Sequence, residues 1–359
     1  FIGNQANNYG GAIYTQGVIT ITAASKALFH QNQIVGVTFG SNGGGAIYVT
    51  QRNADPQLVS SIENVTFTQN SVSNGGVGGA VLLHGAYLKI TECIFTENTA
   101  TSYGGAIGVG YWSASQNWGK AEVIDSTFTG NSANYGGAIS SYGSYKGYGE
   151  VSVTGSTFTG NTAANSGGAI YHTSAREFIL VDSTFTQNRA NGASASYGGG
   201  AIYTNKAMTV KESTFSGNSA TNGGVIFATG SAAVVTLDGA TLGGSVADAN
   251  SAVTGGGVYL TSGAGLNMVN GSVISHNSAS SGGGVAVVTT STFSSYTSTI
   301  TSDSTSSIHS NSATGSGGGI YASGPKLTLV LDGVTLGGAA GKGNTARDGG
   351  GIALASATV

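Results

Sequence analysis

Charge is scarce in this sequence. Asp, Glu, Lys and Arg make up 8% of 359 residues, against roughly 25% in an ordinary soluble domain. The 12 basic and 15 acidic residues form no run of either sign and leave a formal net charge of −3. Nucleic acid or an anionic membrane surface would need a basic patch, so neither is an expected partner, and no membrane insertion of this stretch is expected. Proline is almost missing: only Pro56 and Pro325 remove a backbone donor, which suits a fold that uses nearly every N–H in a ladder. Cys93 is the single cysteine, so no intrachain disulfide exists, and the run Cys93-Ile94-Phe95 suits a small buried thiol. No apolar run approaches the roughly 18 residues of a transmembrane helix, and no basic-then-apolar leader is visible. Any targeting or anchoring segment is expected outside this stretch. Helices are excluded as the main element, because the segments between glycines are short and β-branched and no capped amphipathic window appears.

Glycine, by contrast, is abundant, at 62 residues, and it is periodic. A pair of glycines followed by a small or branched apolar residue recurs twelve times, with Ala12, Ala46, Ala80, Ala106, Ala138, Ala169, Ala201, Val225, Val258, Val285, Ile320 and Ile352 in third place. The spacing averages about 31 residues, inside the window that marks solenoids and arrays. A second signature precedes the first. An aromatic or aliphatic residue, two variable residues and an asparagine end at Asn4, Asn70, Asn98, Asn131, Asn161, Asn188, Asn218, Asn277 and Asn311. Phe29 to Asn32 competes with Phe39 to Asn42 for one repeat, and the spacing to Asn250 and Asn344 is stretched.

One repeat translates into a coil. Val151 to Thr154 alternates apolar and polar, as a half-buried strand does. Gly155-Ser156 turns, and Thr157-Phe158-Thr159 is a second strand. Asn161 is expected at a corner, where asparagine tolerates the left-handed region and can bond its equivalents on neighbouring coils. After a variable loop, Gly167-Gly168 bends into a third strand, Ala169-Ile170-Tyr171, with Ile inward and Tyr outward. The sequence thus predicts an all-β, right-handed parallel β-helix (β-solenoid) of about twelve coils of about 31 residues. Residues 1–359 read as one continuous repeat region, a fragment of a longer chain.

These motifs resemble the polymorphic outer-membrane protein repeats known from chlamydial autotransporter adhesins, whose hallmarks are Gly-Gly-Ala-Ile and Phe-x-x-Asn. FTGN, FTQN or FTEN followed by GGAI is specific as a pair, and the likeness covers nearly all of the chain. In the last third it drifts, to Gly-Gly-Val, Gly-Gly-Ile and Leu-Asp-Gly-x-Thr-Leu-Gly-Gly at 237–244 and 331–338. The resemblance implies an exported bacterial passenger at the cell surface or outside the cell, anchored by a β-barrel beyond this stretch.

The repeats point to architecture rather than to a ligand. Glu92, Asp125, Asp182 and Glu212 share one repeat position with Asn64 and Gly155, one carboxylate per coil, and read as turn residues rather than a calcium site. Histidines 30, 84, 172, 276 and 309 are expected on well-separated coils, so no metal cluster and no nucleophile triad is assembled. No catalytic residue, metal or cofactor is expected. The function expected is structural and adhesive, through binding of a cell-surface protein or glycan. The alternatives are self-association into a fibre or sheath, suggested by Tyr14, Tyr48, Tyr171, Tyr203, Tyr259 and Tyr321, and a polysaccharide-active enzyme. The candidate ligand-binding residues are Tyr111, Trp112, Trp118, Tyr142, Tyr145 and Tyr148, in two long segments at the same position of consecutive repeats.

Overall fold

The computed structural model describes residues 1–36, 43–51, 58–110, 119–142, 149–174, 176–291, 294–338 and 340–358. The chain divides into two compact units, Phe1–Phe178 and Ile179–Val359. Each is a parallel β-solenoid, and about ten turns are formed. This is slightly fewer than the twelve expected, since copies of a motif mark the limits of turns and twelve copies bound fewer closed ones. The one helical element among the described residues is the three-residue 3-10 turn Val246–Asp248.

A single turn of the first unit shows how the sequence makes the coil. Strand Gly149–Thr154 buries Val151 and Val153 and leaves Glu150 and Ser152 half exposed. Gly155, at φ 61°, turns the chain. Thr157–Thr159 then sends Phe158 wholly inside. The segment read from sequence as a variable loop is itself a strand, Thr162–Ser166. It pairs in parallel with Ser132–Tyr135 of the preceding coil. Its Thr-Ala-Ala-Asn-Ser sequence has no large apolar alternation, so nothing local announces it; pairing between coils creates it. Ile170–His172 completes the turn after the glycines.

Register is kept from coil to coil, so like stacks on like. In the first unit Phe1, Phe29, Phe67, Phe95, Phe128 and Phe158 form a column with ring centroids 4.6 to 5.0 Å apart. That distance is the spacing of paired strands. In the second unit the column runs through Phe185, Phe215, Leu242, Ile274 and Ile308. From Phe29 onward every member has no exposed surface, and each stabilises the coil by about 1.5–3 kcal/mol.

The paired glycines do two different jobs. Gly136 sits at φ 65°, where a side chain is strained. A Cβ on Gly137 would stand 2.2 Å from the carbonyl oxygen of Gly168 and 2.6 Å from the nitrogen of Thr162 on the next coil. The first glycine bends the chain and the second allows the backbones to close up. Ala138 then donates its N–H to the carbonyl of Ala169 at 2.9 Å, with no exposed surface.

Candidate binding surface

The repeated asparagines face inward. Asn131 donates from its backbone N–H and its side-chain amide to Oδ1 of Asn161, at 3.0 and 2.9 Å, and its amide also reaches the Phe95 carbonyl of the preceding coil at 3.0 Å. Its own Oδ1 receives the same pair of bonds from Asn98. All four hydrogen-bonding positions of the amide are thus used at 0% exposure. The first unit has this ladder from Asn4 through Asn32, Asn70, Asn98 and Asn131 to Asn161. The second has it from Asn188 through Asn218, Asn250, Asn277 and Asn311 to Asn344. Asn32, Asn250 and Asn344 therefore join the nine corner asparagines named from sequence; Phe39 and Asn42 lie outside the described residues.

The left-handed residue at this corner is not the asparagine, as the sequence suggests, but the one before it: Gln69 at φ 55°, Glu97 at 54°, Gly130 and Gly160 at 63°, Gln187 at 57°. The side chain of that residue stays outside while the turn swings the asparagine in.

The outer face has a rule that crosses coils. The residue before a glycine pair lies against the residue two places beyond that pair's alanine on the next coil. Where one is large the other is small: Leu82 fills the space a side chain on Gly43 would need, and Val77 that of Gly108. Where both are large, aromatic clusters form. Tyr9, Tyr14 and Tyr48 cluster with centroids 4.7 to 5.6 Å apart, and the Tyr48 hydroxyl meets His84 Nδ1 at 2.7 Å. In the second unit the aromatic stack is of another kind, equivalent positions in register: Phe227 lies between Tyr203 and Tyr259, at 5.2 and 4.9 Å. Tyr48 and Tyr259 are 4% and 5% exposed and brace their own coils, whereas Tyr14 is 46% exposed and Tyr171, Tyr203 and Tyr321 are half buried.

The largest such cluster lies where the long segments begin. Tyr103, Tyr135, Tyr142 and Tyr171 are half buried, with Tyr103 4.8 Å from Tyr142 and 5.1 Å from Tyr135, and Tyr171 5.0 Å from Tyr135. Burial and the neighbouring Tyr103 push the Tyr142 hydroxyl up to about 12. Strands Ile107–Val109 and Ile139–Ser141 pair in register, and so do Gly119–Ile124 and Gly149–Thr154. The N–H of Tyr142 donates to the Val109 carbonyl at 3.0 Å. The described strands on either side of positions 111–118 and 143–148 are thus paired with one another. Of the six aromatic candidates, Tyr142 is placed here; Tyr111, Trp112, Trp118, Tyr145 and Tyr148 lie outside the described residues.

Seven stretches of the chain match the Chlamydia polymorphic membrane protein repeat: residues 1–16, 92–109, 125–142, 155–173, 182–205, 212–229 and 305–323. Each spans one inward asparagine and the glycine pair that follows it. These seven stretches are similar to polymorphic membrane protein repeats. The matched stretches cover little more than a third of it, and the coils between 230 and 304 continue the same ladder through Asn250 and Asn277. No curated protein and no solved structure matches. No helix among the described residues is long and apolar enough to cross a membrane.

Within the repeats the polar side chains are engaged locally. Asn64, Glu92, Asp125, Gly155, Asp182 and Glu212 all have φ between 48° and 61° and form the turn before the Phe strand. Cys93 takes the place held on other coils by Ser126, Ser156, Ser183 and Ser213: its N–H donates to Ser126 Oγ at 3.1 Å and its Sγ lies 3.2 Å from the Thr91 carbonyl. Burial pushes its thiol up to about 11, which makes it a packing atom rather than a nucleophile. The histidines are not all far apart. His276 and His309 sit on consecutive coils with ring centroids 6.2 Å apart, edge to face, because both belong to the asparagine motif. No group of three or more His, Cys, Asp or Glu able to hold a metal occurs among the described residues.

A charge cluster escapes sequence reading because Tyr87 and Glu150 are about 30 residues from Lys120 and Glu122. Lys120 lies 2.9 Å from Glu122 and 3.3 Å from Glu150, with its ammonium 4.9 Å from the centre of the Tyr87 ring. Burial opposes ionisation of Glu122, but hydrogen bonds from Tyr87 and Lys120 outweigh it and hold its carboxyl below the usual range. Burial likewise opposes the charge on Lys120, and bonds to both glutamates raise it nonetheless. Both carboxylates contact the one ammonium, which suits a clamp between strands and not an acid–base pair.

Proposed function

We propose that the chain is the surface-displayed part of an exported bacterial protein, and that its solenoid presents loops for adhesion to a cell-surface protein or glycan. Supporting this are the similarity to polymorphic membrane protein repeats, the parallel solenoid and a chemically quiet surface. The observation that carries the adhesive reading is the pairing of Val109 with Tyr142. It sets the roots of two aromatic-rich segments together beside four half-buried tyrosines. In this reading Tyr111, Trp112, Trp118, Tyr142, Tyr145 and Tyr148 form one recognition patch, since rigid aromatic side chains give large contact area at low entropic cost. Solenoids use such loops on one face for binding while the stacked core keeps their spacing constant.

The test is adhesion of beads coated with the chain to cultured cells. A Trp112→Ala, Trp118→Ala variant that unfolds like the wild type should adhere at least about tenfold less, as expected for the loss of two aromatic anchors. Undiminished adhesion of the folded variant would remove the patch from the account.

A further inference from the structure

We propose that the second unit holds a groove for an uncharged saccharide, on the outer face of strands Val234–Asp238, Gly265–Val269 and Tyr296–Ser302. This departs from the adhesive reading in place and narrows its ligand to an uncharged sugar, and it makes no use of the aromatic segments. The groove has a volume of about 360 Å³, at the low end of the range for small-ligand sites. Gly265 helps to open it. Val234 pairs with Gly265, and the backbone oxygen of Thr299 on the following coil lies beside the same position, so the coils on either side carry β-branched residues where Gly265 has none.

The walls specify the ligand. Val234, Asn267, Thr297, Thr299 and Thr301 line the groove, and none of the described residues lining it is charged. The Thr301 hydroxyl donates to Asn267 Oδ1 at 2.7 Å. That bond fixes the amide and leaves its NH₂, like the Thr297 and Thr299 hydroxyls, without a partner among the described residues. Val234, 44% exposed, gives the groove an apolar side. Several hydroxyl and amide groups around one apolar wall, with no charge, match the alternating hydroxyl and C–H faces of a neutral sugar. A sulfated or carboxylated glycan would bring charge to a site with no cation to meet it. A peptide adding as a strand would need a free edge, and all three strands are already paired on both sides.

The test is amide chemical-shift titration of the ¹⁵N-labelled chain with lactose, cellobiose and chitobiose, and with a heparin-derived disaccharide as the anionic comparison. A few hydrogen bonds to a mobile sugar give weak binding, so each titration should reach about 10 mM. At least one neutral disaccharide should shift the amides of Gly263, Gly265, Asn267 and Thr299 saturably. Gly265→Val, which fills the groove with a residue type its neighbours already carry, should weaken that binding by at least about tenfold. If this variant does not fold, Asn267→Leu, which removes the donor, should do the same. The Trp112→Ala, Trp118→Ala variant should bind unchanged. The proposal is overturned if no neutral disaccharide perturbs these amides, if the sulfated one binds more tightly, or if a folded groove variant binds equally well. Binding lost in the tryptophan variant and kept in the groove variants would overturn it too, leaving the aromatic patch as the sugar site.

Discussion

The side-chain oxygen of Asn161 accepts two hydrogen bonds from Asn131, one from the backbone at 3.0 Å and one from the amide at 2.9 Å. The pair is completely buried, so replacing either residue by alanine strands donors or acceptors away from water. Asn131→Ala and Asn161→Ala should each cost about 1–3 kcal/mol in urea unfolding. The double variant should cost less than the sum, since the shared bonds are lost only once. Strict additivity would mean that the ladder is not cooperative.

Glycines of this chain should differ sharply in tolerance. Gly160 has φ 63° with nothing within 4 Å of the place a Cβ would take, and Gln69, Glu97 and Gln187 hold the equivalent position elsewhere. Gly160→Asn should therefore change stability by no more than about 1 kcal/mol. Gly137→Ala drives a methyl group into the Gly168 carbonyl of the next coil and should cost at least about 3 kcal/mol. Similar unfolding midpoints for the two variants would contradict the close approach.

Much of the fold is legible in the sequence, because a stacked coil repeats its own chemistry. The Phe column, the asparagine ladder and the paired glycines each recur with about the same period. What the sequence hides is whatever depends on the neighbouring coil. Thr162–Ser166 becomes a strand only by pairing with Ser132–Tyr135. Gly43 and Leu82, or Val77 and Gly108, exchange size between coils without any local pattern. Lys120 meets Glu150 and Tyr87 for the same reason. In the candidate site, the aromatic composition of the two segments is readable, whereas Tyr103, Tyr135 and Tyr171 join Tyr142 only through the fold.

Cys93 should be replaceable by the residue that its column prefers. A serine there can accept the same kind of backbone bond as Ser126, so Cys93→Ser should shift stability by less than about 1.5 kcal/mol. With its thiol at about 11, Cys93 in the native chain should react with a thiol reagent at pH 8 far more slowly than after unfolding. Equal rates would show that the strand is open to solvent.

Alkaline pH should weaken the second unit through Tyr259. Burial lifts its hydroxyl to about 12 from an ordinary value of 10.0. Between those values the unfolded chain has lost a proton that the folded chain keeps, so stability is fully present below pH 10 and falls as pH rises towards 12. Tyr259→Phe should reduce that slope in unfolding experiments across this range. A slope unchanged by the substitution would show that other groups control it.

Both tryptophans of the chain, Trp112 and Trp118, lie in the segment between Gly110 and Gly119. Tryptophan emission excited at the red edge therefore reports on the candidate patch alone. The most direct measurement is that emission during titration with tryptophan-free glycopeptides from cell surfaces, whose binding to the chain is followed in parallel by mass change on a sensor. A saturable shift in emission that tracks the mass change with the same midpoint is the predicted result. Saturable binding with the tryptophan emission unmoved would contradict the account.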